Sequence, residues 1–153
     1  MKNNYFIIPL FIVAISYLGG RVTANGMAWY KTLTLPPIAP PGGFIGIIWT
    51  IIYFLAMISA LLFWNKTEKA ANDKLVKLIF IANGLLNLFW SYVFFGWHLL
   101  GWAIVEMCLL NLTTLALVLL LWKKSRLSAW LLTPYLLWVS FATYLATSIW
   151  KLN

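Results

Sequence analysis

Five long apolar runs divide the chain, at about 5–20, 44–64, 75–95, 99–122 and 127–150, with short polar stretches between them. Most approach the roughly 20 residues that a helix needs to cross the hydrocarbon of a bilayer. None alternates with a period of two, and lipid offers no partner for an unpaired backbone group. The pattern therefore predicts an all-α membrane protein, a bundle of five transmembrane helices in one domain spanning 1–153. The first run follows Lys2 and ends near Gly19 and Gly20, in the manner of a signal peptide. Arg21 falls where a cleavage site needs small residues, so the run is read as a first span.

The connection between the first two runs, 25–43, has its own character. Pro36, Pro37, Pro40 and Pro41 remove four backbone donors and fix φ, and Gly42 and Gly43 follow. A stiff loop is expected there, feeding a helix on which Trp49 and Tyr53, four residues apart, share a face. Trp29, Tyr30, Pro36, Pro40 and Pro41 are the residues expected to lid a pocket.

Basic residues set the expected orientation. Lys2, Lys66, Lys69, Lys74, Lys77, Lys123, Lys124 and Arg126 fall on one side, against Arg21, Lys31 and Lys151 on the other. An excess of Lys and Arg marks the cytoplasmic face, so the N-terminus is expected inside and the C-terminus and the proline loop outside. The same accounting explains the net charge of +8 without nucleic acid, because the bases sit in caps between apolar runs. The segment 66–77, which carries Glu68 and Asp73, reads as a solvated connection. Charged residues make up 9% of 153, far below a soluble domain's roughly 25%.

Aromatics make up 18%, with ten Trp. Trp64, Trp97, Trp122, Trp130 and Trp150 lie near span ends, where an interfacial belt accounts for them. Trp49, Trp90, Trp102 and Trp138 lie deeper. At about 1.5 Å per residue, Trp49 and Trp90 are roughly 8–9 Å below the outer ends of their helices, Asn87 roughly 14 Å and Trp138 roughly 19 Å. Asn83, Asn87 and Trp90 share a face of helix 3. Trp102 and Glu106 share one of helix 4, and Trp138, Phe141, Ala142 and Leu145 one of helix 5. Small Ala142 leaves room. Convergence at one depth predicts a pocket, and plain packing is the competing reading. Glu106 is the only acid inside a span, where a charge costs roughly 2.5–3.5 kcal/mol. It is neutral, faces a wet cavity or has a partner, for which Arg21 is the candidate. Asn83 and Asn87 equally suit bonds between helices.

Conventional catalytic chemistry finds little here. The sequence offers no carboxylate pair, no metal-ligand spacing and no nucleophile beside a base, so hydrolysis and metal catalysis are not supported and no cofactor is required. His98, the sole histidine, lies in a turn. Cys108, the sole cysteine, excludes an internal disulfide and reads as packed or lipid-facing. A cavity walled by indoles suits a flat aromatic ligand with a polar fringe, such as a metal-free tetrapyrrole or a sterol-like molecule. Tryptophans against a photosensitising ring could also donate electrons to it.

The chain resembles the translocator protein family, also called tryptophan-rich sensory protein or peripheral-type benzodiazepine receptor, and specifically a bacterial member. WYKTLTLPPIAPPGGFIGIIWTIIY carries the family's pattern through Trp29, Tyr30, Pro36, Pro40, Pro41, Trp49 and Tyr53. NLFWSYVFFGWHLLGWAIVE carries it through Asn87, Trp90, Phe94, Phe95, Gly96, Trp102 and Glu106, and PYLLWVSFATYLATSIW through Pro134, Tyr135, Trp138, Phe141, Ala142 and Trp150. The resemblance implies a five-helix bundle in the bacterial cell membrane, usually a homodimer. It implies an outer-half pocket for porphyrins, protoporphyrin IX among them, and for isoquinoline- or benzodiazepine-type molecules. Trp49, Tyr53, Asn87, Trp90, Trp102, Glu106, Trp138, Ala142 and Leu145 would line it. It also implies light-dependent porphyrin degradation through Trp49 and Trp138. Translocation of porphyrins and a stress- or oxygen-sensing role through a partner protein are the alternatives.

Two departures qualify the resemblance. The sterol motif needs Tyr within one to five residues of a base, whereas six residues separate Tyr144 from Lys151, and Thr147 stands where animal members have Tyr. The small-residue pattern used for dimer contact on helix 3 reads Leu78 and Ala82 here.

Overall fold

The computed structural model describes residues 3–66 and 73–153. Among the described residues, five helices cross the length of the molecule: α1 (Asn4–Tyr30), α2 (Gly42–Lys66), α3 (Lys74–Ser91), α4 (Leu100–Trp122) and α5 (Arg126–Leu152). All five are long and apolar enough to span a membrane. Lys2, Glu68 and Lys69, which entered the sequence reading of the termini and loops, lie outside the described residues.

α1 runs ten residues beyond the expected end at 20. Gly19, Gly20 and Gly26 do not stop it, because a backbone in hydrocarbon finds its hydrogen bonds only within the helix. Trp29 and Tyr30 thus belong to a helix, and the proline loop shortens to 31–41. Two of these glycines bring α1 against the α3 end of the bundle. A Cβ on Gly26 would collide with the carbonyl oxygen of Phe95, and one on Gly19 would stand 3.2 Å from Ser91 Oγ. On the α3 side, a Cβ on Gly84 would meet the Phe11 ring at 2.8 Å. Small residues let helix backbones approach where no hydrophobic force drives them together.

α3 ends in a π-helical turn, Tyr92–Gly96, closed by Trp97 N–H donating to Tyr92 O at 2.7 Å. Its wider winding puts Val93, Phe94 and Phe95, three consecutive residues, all into the interior. His98 follows at φ 58°, a left-handed residue in the turn to α4, with its ring stacked on Trp29 at 4.0 Å.

The core lies between α2, α4 and α5, around Phe63, Met107, Leu110, Leu117, Leu121, Leu132 and Val139. Polar side chains tie the helices where lipid leaves them no other partner. Asn83 Nδ2 donates to Thr113 and Thr114 of α4, both at 2.9 Å, and Ser59 Oγ donates to Ser128 O of α5 at 2.8 Å. At the end of the bundle away from the proline loop, Asp73 caps α3 through Val76 N–H and pairs with Lys124. Apolar side chains such as Leu10, Val13, Leu78, Leu112, Leu119 and Leu137 face outward, as a lipid-facing surface requires.

Gly26→Ala should lower stability by about 1–3 kcal/mol, because the added methyl must push Phe95 backbone aside. Gly20→Ala, with nothing within 4 Å of the new carbon, should be neutral or slightly stabilising. Unfolding in detergent followed by circular dichroism compares the two.

Candidate functional site

A cavity of about 670 Å³ lies between α1, α2, α3 with its π-turn, and α5. Three indoles from three helices stand on its wall: Trp49 of α2, Trp90 of α3 and Trp138 of α5. Trp90 stacks on Phe94 at 5.1 Å, which continues the aromatic wall into the π-turn. Ala142 and Leu145, one and two turns after Trp138, complete the α5 side. No Lys, Arg, His, Asp or Glu is among the lining residues.

One polar junction interrupts this apolar wall. Asn87 of α3 is buried, accepts a hydrogen bond from Tyr53 Oη of α2 and donates from Nδ2 to Tyr135 Oη of α5 at 2.9 Å. A single amide therefore connects three helices beside the cavity, and Tyr53 and Asn87 both line it. The Trp49 ring lies 5.7 Å from that of Tyr53 and 6.1 Å from that of Tyr135, so the junction also sets the indole's place.

The end near the proline loop is closed. Tyr30, Phe94, Phe95, Leu145 and Ile149 form a buried cluster, and Leu33 and Ala39 of the loop pack onto it. Asn153 then clasps the loop from α5: its Oδ1 accepts from Thr34 N–H at 2.9 Å and its Nδ2 donates to Thr34 O at 3.1 Å.

Of the site residues read from sequence, Trp49, Tyr53, Asn87, Trp90, Trp138, Ala142 and Leu145 come together on the cavity wall. The lid set divides. Tyr30 lines the cavity as part of α1, whereas Trp29 turns to His98 and Pro36, Pro40 and Pro41 do not reach the wall. Phe141 packs beside Trp138, ring to ring at 5.5 Å, outside the lining.

α4 contributes nothing to the wall, which corrects two residues. Trp102 is 68% exposed, on the same outward stripe as Val105, Leu109 and Leu112. Glu106 is buried at 4% exposure, yet it lies away from the cavity, and neither oxygen meets a hydrogen-bond donor among the described residues. Arg21 does not pair with it, being exposed on α1. The expectation placed α4 beside the pocket from depth, from the face that Trp102 and Glu106 share, and from the family resemblance. Depth fixes the level of a residue in a bundle but leaves open which helix stands behind which.

α1 was missed for the opposite reason. It supplies nine lining residues from Val13 to Tyr30, mostly small or modest in size, and no aromatic stripe flagged it. The signal available was the glycine pair Gly19 and Gly20 inside an apolar run.

Comparison with known proteins bears on the same chain length. The sequence model of the TspO/MBR family matches residues 6–151. The tryptophan-rich protein TspO of Bacillus cereus is 33% identical over 153 residues, covering all of this chain and 99% of that protein. The human translocator protein is 31% identical over 139 residues, 90% of this chain and 82% of its own. Protein CrtK of Rhodobacter capsulatus is 30% identical over 156 residues, all of this chain and 95% of its own.

Tyr135→Phe removes the acceptor of Asn87 Nδ2 while keeping the ring that packs on Trp49. The expected loss is about 0.6–1.7 kcal/mol, the range for a hydrogen bond between membrane helices. Reversible unfolding in mixed micelles measures it, with intrinsic tryptophan emission as the probe.

Proposed function

Because the chain belongs to the TspO/MBR family, we propose that it is a multi-pass membrane receptor for tetrapyrroles and similar flat, apolar aromatic molecules. The observation that carries this reading is the set of three indoles, Trp49, Trp90 and Trp138, around one cavity with a single polar junction. Its volume, about 670 Å³, falls in the range of ligand sites, roughly 300–1,000 Å³. Indole faces supply broad stacking area for a conjugated ring, and Tyr53 and Asn87 give its polar edge one preferred direction. Protoporphyrin IX is the first ligand to test, followed by isoquinoline- and benzodiazepine-type molecules.

The reading includes a homodimer in the bacterial cell membrane. It also includes the orientation that the basic residues favour, with Lys74, Lys77, Lys123, Lys124 and Arg126 at the cytoplasmic end and the proline loop outside.

Protoporphyrin IX should quench tryptophan emission saturably in the purified protein. Ala142→Phe, which fills the α5 wall, should weaken binding about tenfold or more, as overfilling a formed pocket does. Quenching that never saturates, or that ignores Ala142→Phe, overturns the reading.

Trp49 and Trp138 facing one cavity favour a second step. A photoexcited macrocycle held there would take an electron from a neighbouring indole and add dioxygen across a bridging carbon–carbon bond; that bond and the O–O bond then break, both oxygen atoms end as carbonyls of the opened ring, and the electron returns to the indole. Under illumination in air, Trp49→Phe and Trp138→Phe should each slow bleaching of bound porphyrin relative to the unchanged protein. Equal rates in all three proteins would reject the degradative step and leave binding, sensing or translocation.

A further inference from the structure

The cavity is closed at the proline loop but open along one side. Of its wall, the residues from α3, the π-turn and α5 are buried or half-buried. On α1 and α2 the same wall includes residues that also face the exterior. Val13, Tyr17, Gly20 and Ala24 form an exposed stripe on α1, and Gly42, Gly46 and Thr50 form one on α2. Both stripes follow helical spacing, so each runs along an edge. A residue that lines the cavity and also faces outward marks its mouth. The mouth is therefore a slot between α1 and α2, lengthwise to the bundle.

Two residues keep the slot wide. Carbons built on Gly20 and Gly46 would have nothing within 4 Å, unlike Gly19 one residue away, whose Cβ would meet Ser91. The glycines on this stripe are thus not needed for helix contact. Its surroundings are apolar: Val13, Tyr17 and Leu18 on one side, and Ile47, Ile51 and Phe54 on the other, are exposed. Two nearby hydroxyls are turned onto their own helices, Ser16 Oγ donating to Val13 O at 3.0 Å and Thr50 Oγ1 to Gly46 O at 2.9 Å. The slot therefore offers an apolar path into a cavity whose lining carries no charged side chain.

We propose that the cavity is filled and emptied sideways, from the hydrocarbon of the bilayer, through the slot between α1 and α2, which the missing side chains of Gly20 and Gly46 hold open. The proposal rests on the reading of the cavity as a receptor site. Its solute is a flat, largely apolar molecule that already resides among lipid chains and passes the slot edge-on. The loop above takes no part in uptake, since Asn153 pins it and none of its residues from 31 to 41 lines the cavity.

The test uses the full chain in lipid vesicles with protoporphyrin IX dimethyl ester, an uncharged probe that partitions into the bilayer. Stopped-flow quenching of tryptophan emission gives the uptake rate, and displacement gives the release rate. Gly46→Leu and, from the opposite helix, Gly20→Leu should each slow uptake and release together, by about tenfold. Lost contacts alone would instead speed release. Asn153→Ala, which frees the loop, should leave both rates unchanged. Saturable binding with unaltered rates in both leucine variants overturns the slot, as does faster exchange in Asn153→Ala. Absence of saturable quenching in the unchanged protein overturns the receptor reading, and the slot with it.

Discussion

An amide side chain in hydrocarbon has no water to bond, so its donors and acceptors must find protein. Asn87 meets that requirement with two tyrosines on two other helices, Tyr53 on α2 and Tyr135 on α5. The arrangement fixes the mutual positions of three helices at one level. The indoles of Trp49, Trp90 and Trp138 project from these same helices. A bundle whose helices met only through leucines could slide or rotate to fill its own spaces. Here the polar junction holds α2, α3 and α5 in register, and the empty volume beside it persists.

The other wall is held by a different device. Gly26 against Phe95, Gly19 against Ser91 and Gly84 against Phe11 bring α1 close to α3. That close approach anchors α1 along one edge, leaving its other edge facing α2 across the cavity. The π-turn contributes by turning three consecutive residues, Val93, Phe94 and Phe95, inward. Tyr30 closes the corner where α1, the π-turn and α5 meet.

Much of this was legible in the sequence, and the gaps have physical causes. Five spans follow from apolar length alone, because lipid permits so few structures. Trp49, Trp90, Trp138 and Asn87 were placed by helical spacing and depth, both of which survive folding unchanged. Trp102 and Glu106 failed because azimuth depends on how helices pack around one another, which spacing within one helix does not encode. Glycines misled at the end of α1: in water Gly19 and Gly20 read as a stop, whereas in lipid they are contact residues and openings. The clasp of Asn153 on Thr34 joins residues 119 positions apart, beyond the reach of any local pattern.

The two open glycines on facing helices carry a consequence for how affinity is read. A solute reaching the cavity from among lipid chains is drawn from the membrane phase, where its concentration is set by partition. Each added methylene favours that phase by about 0.8 kcal/mol, roughly a fourfold enrichment. Two compounds that fit Trp49 and Trp138 equally well would then differ in apparent potency through lipophilicity alone. For a chamber that opens into oil, the meaningful constant is a mole fraction in the bilayer, not a molarity in the buffer.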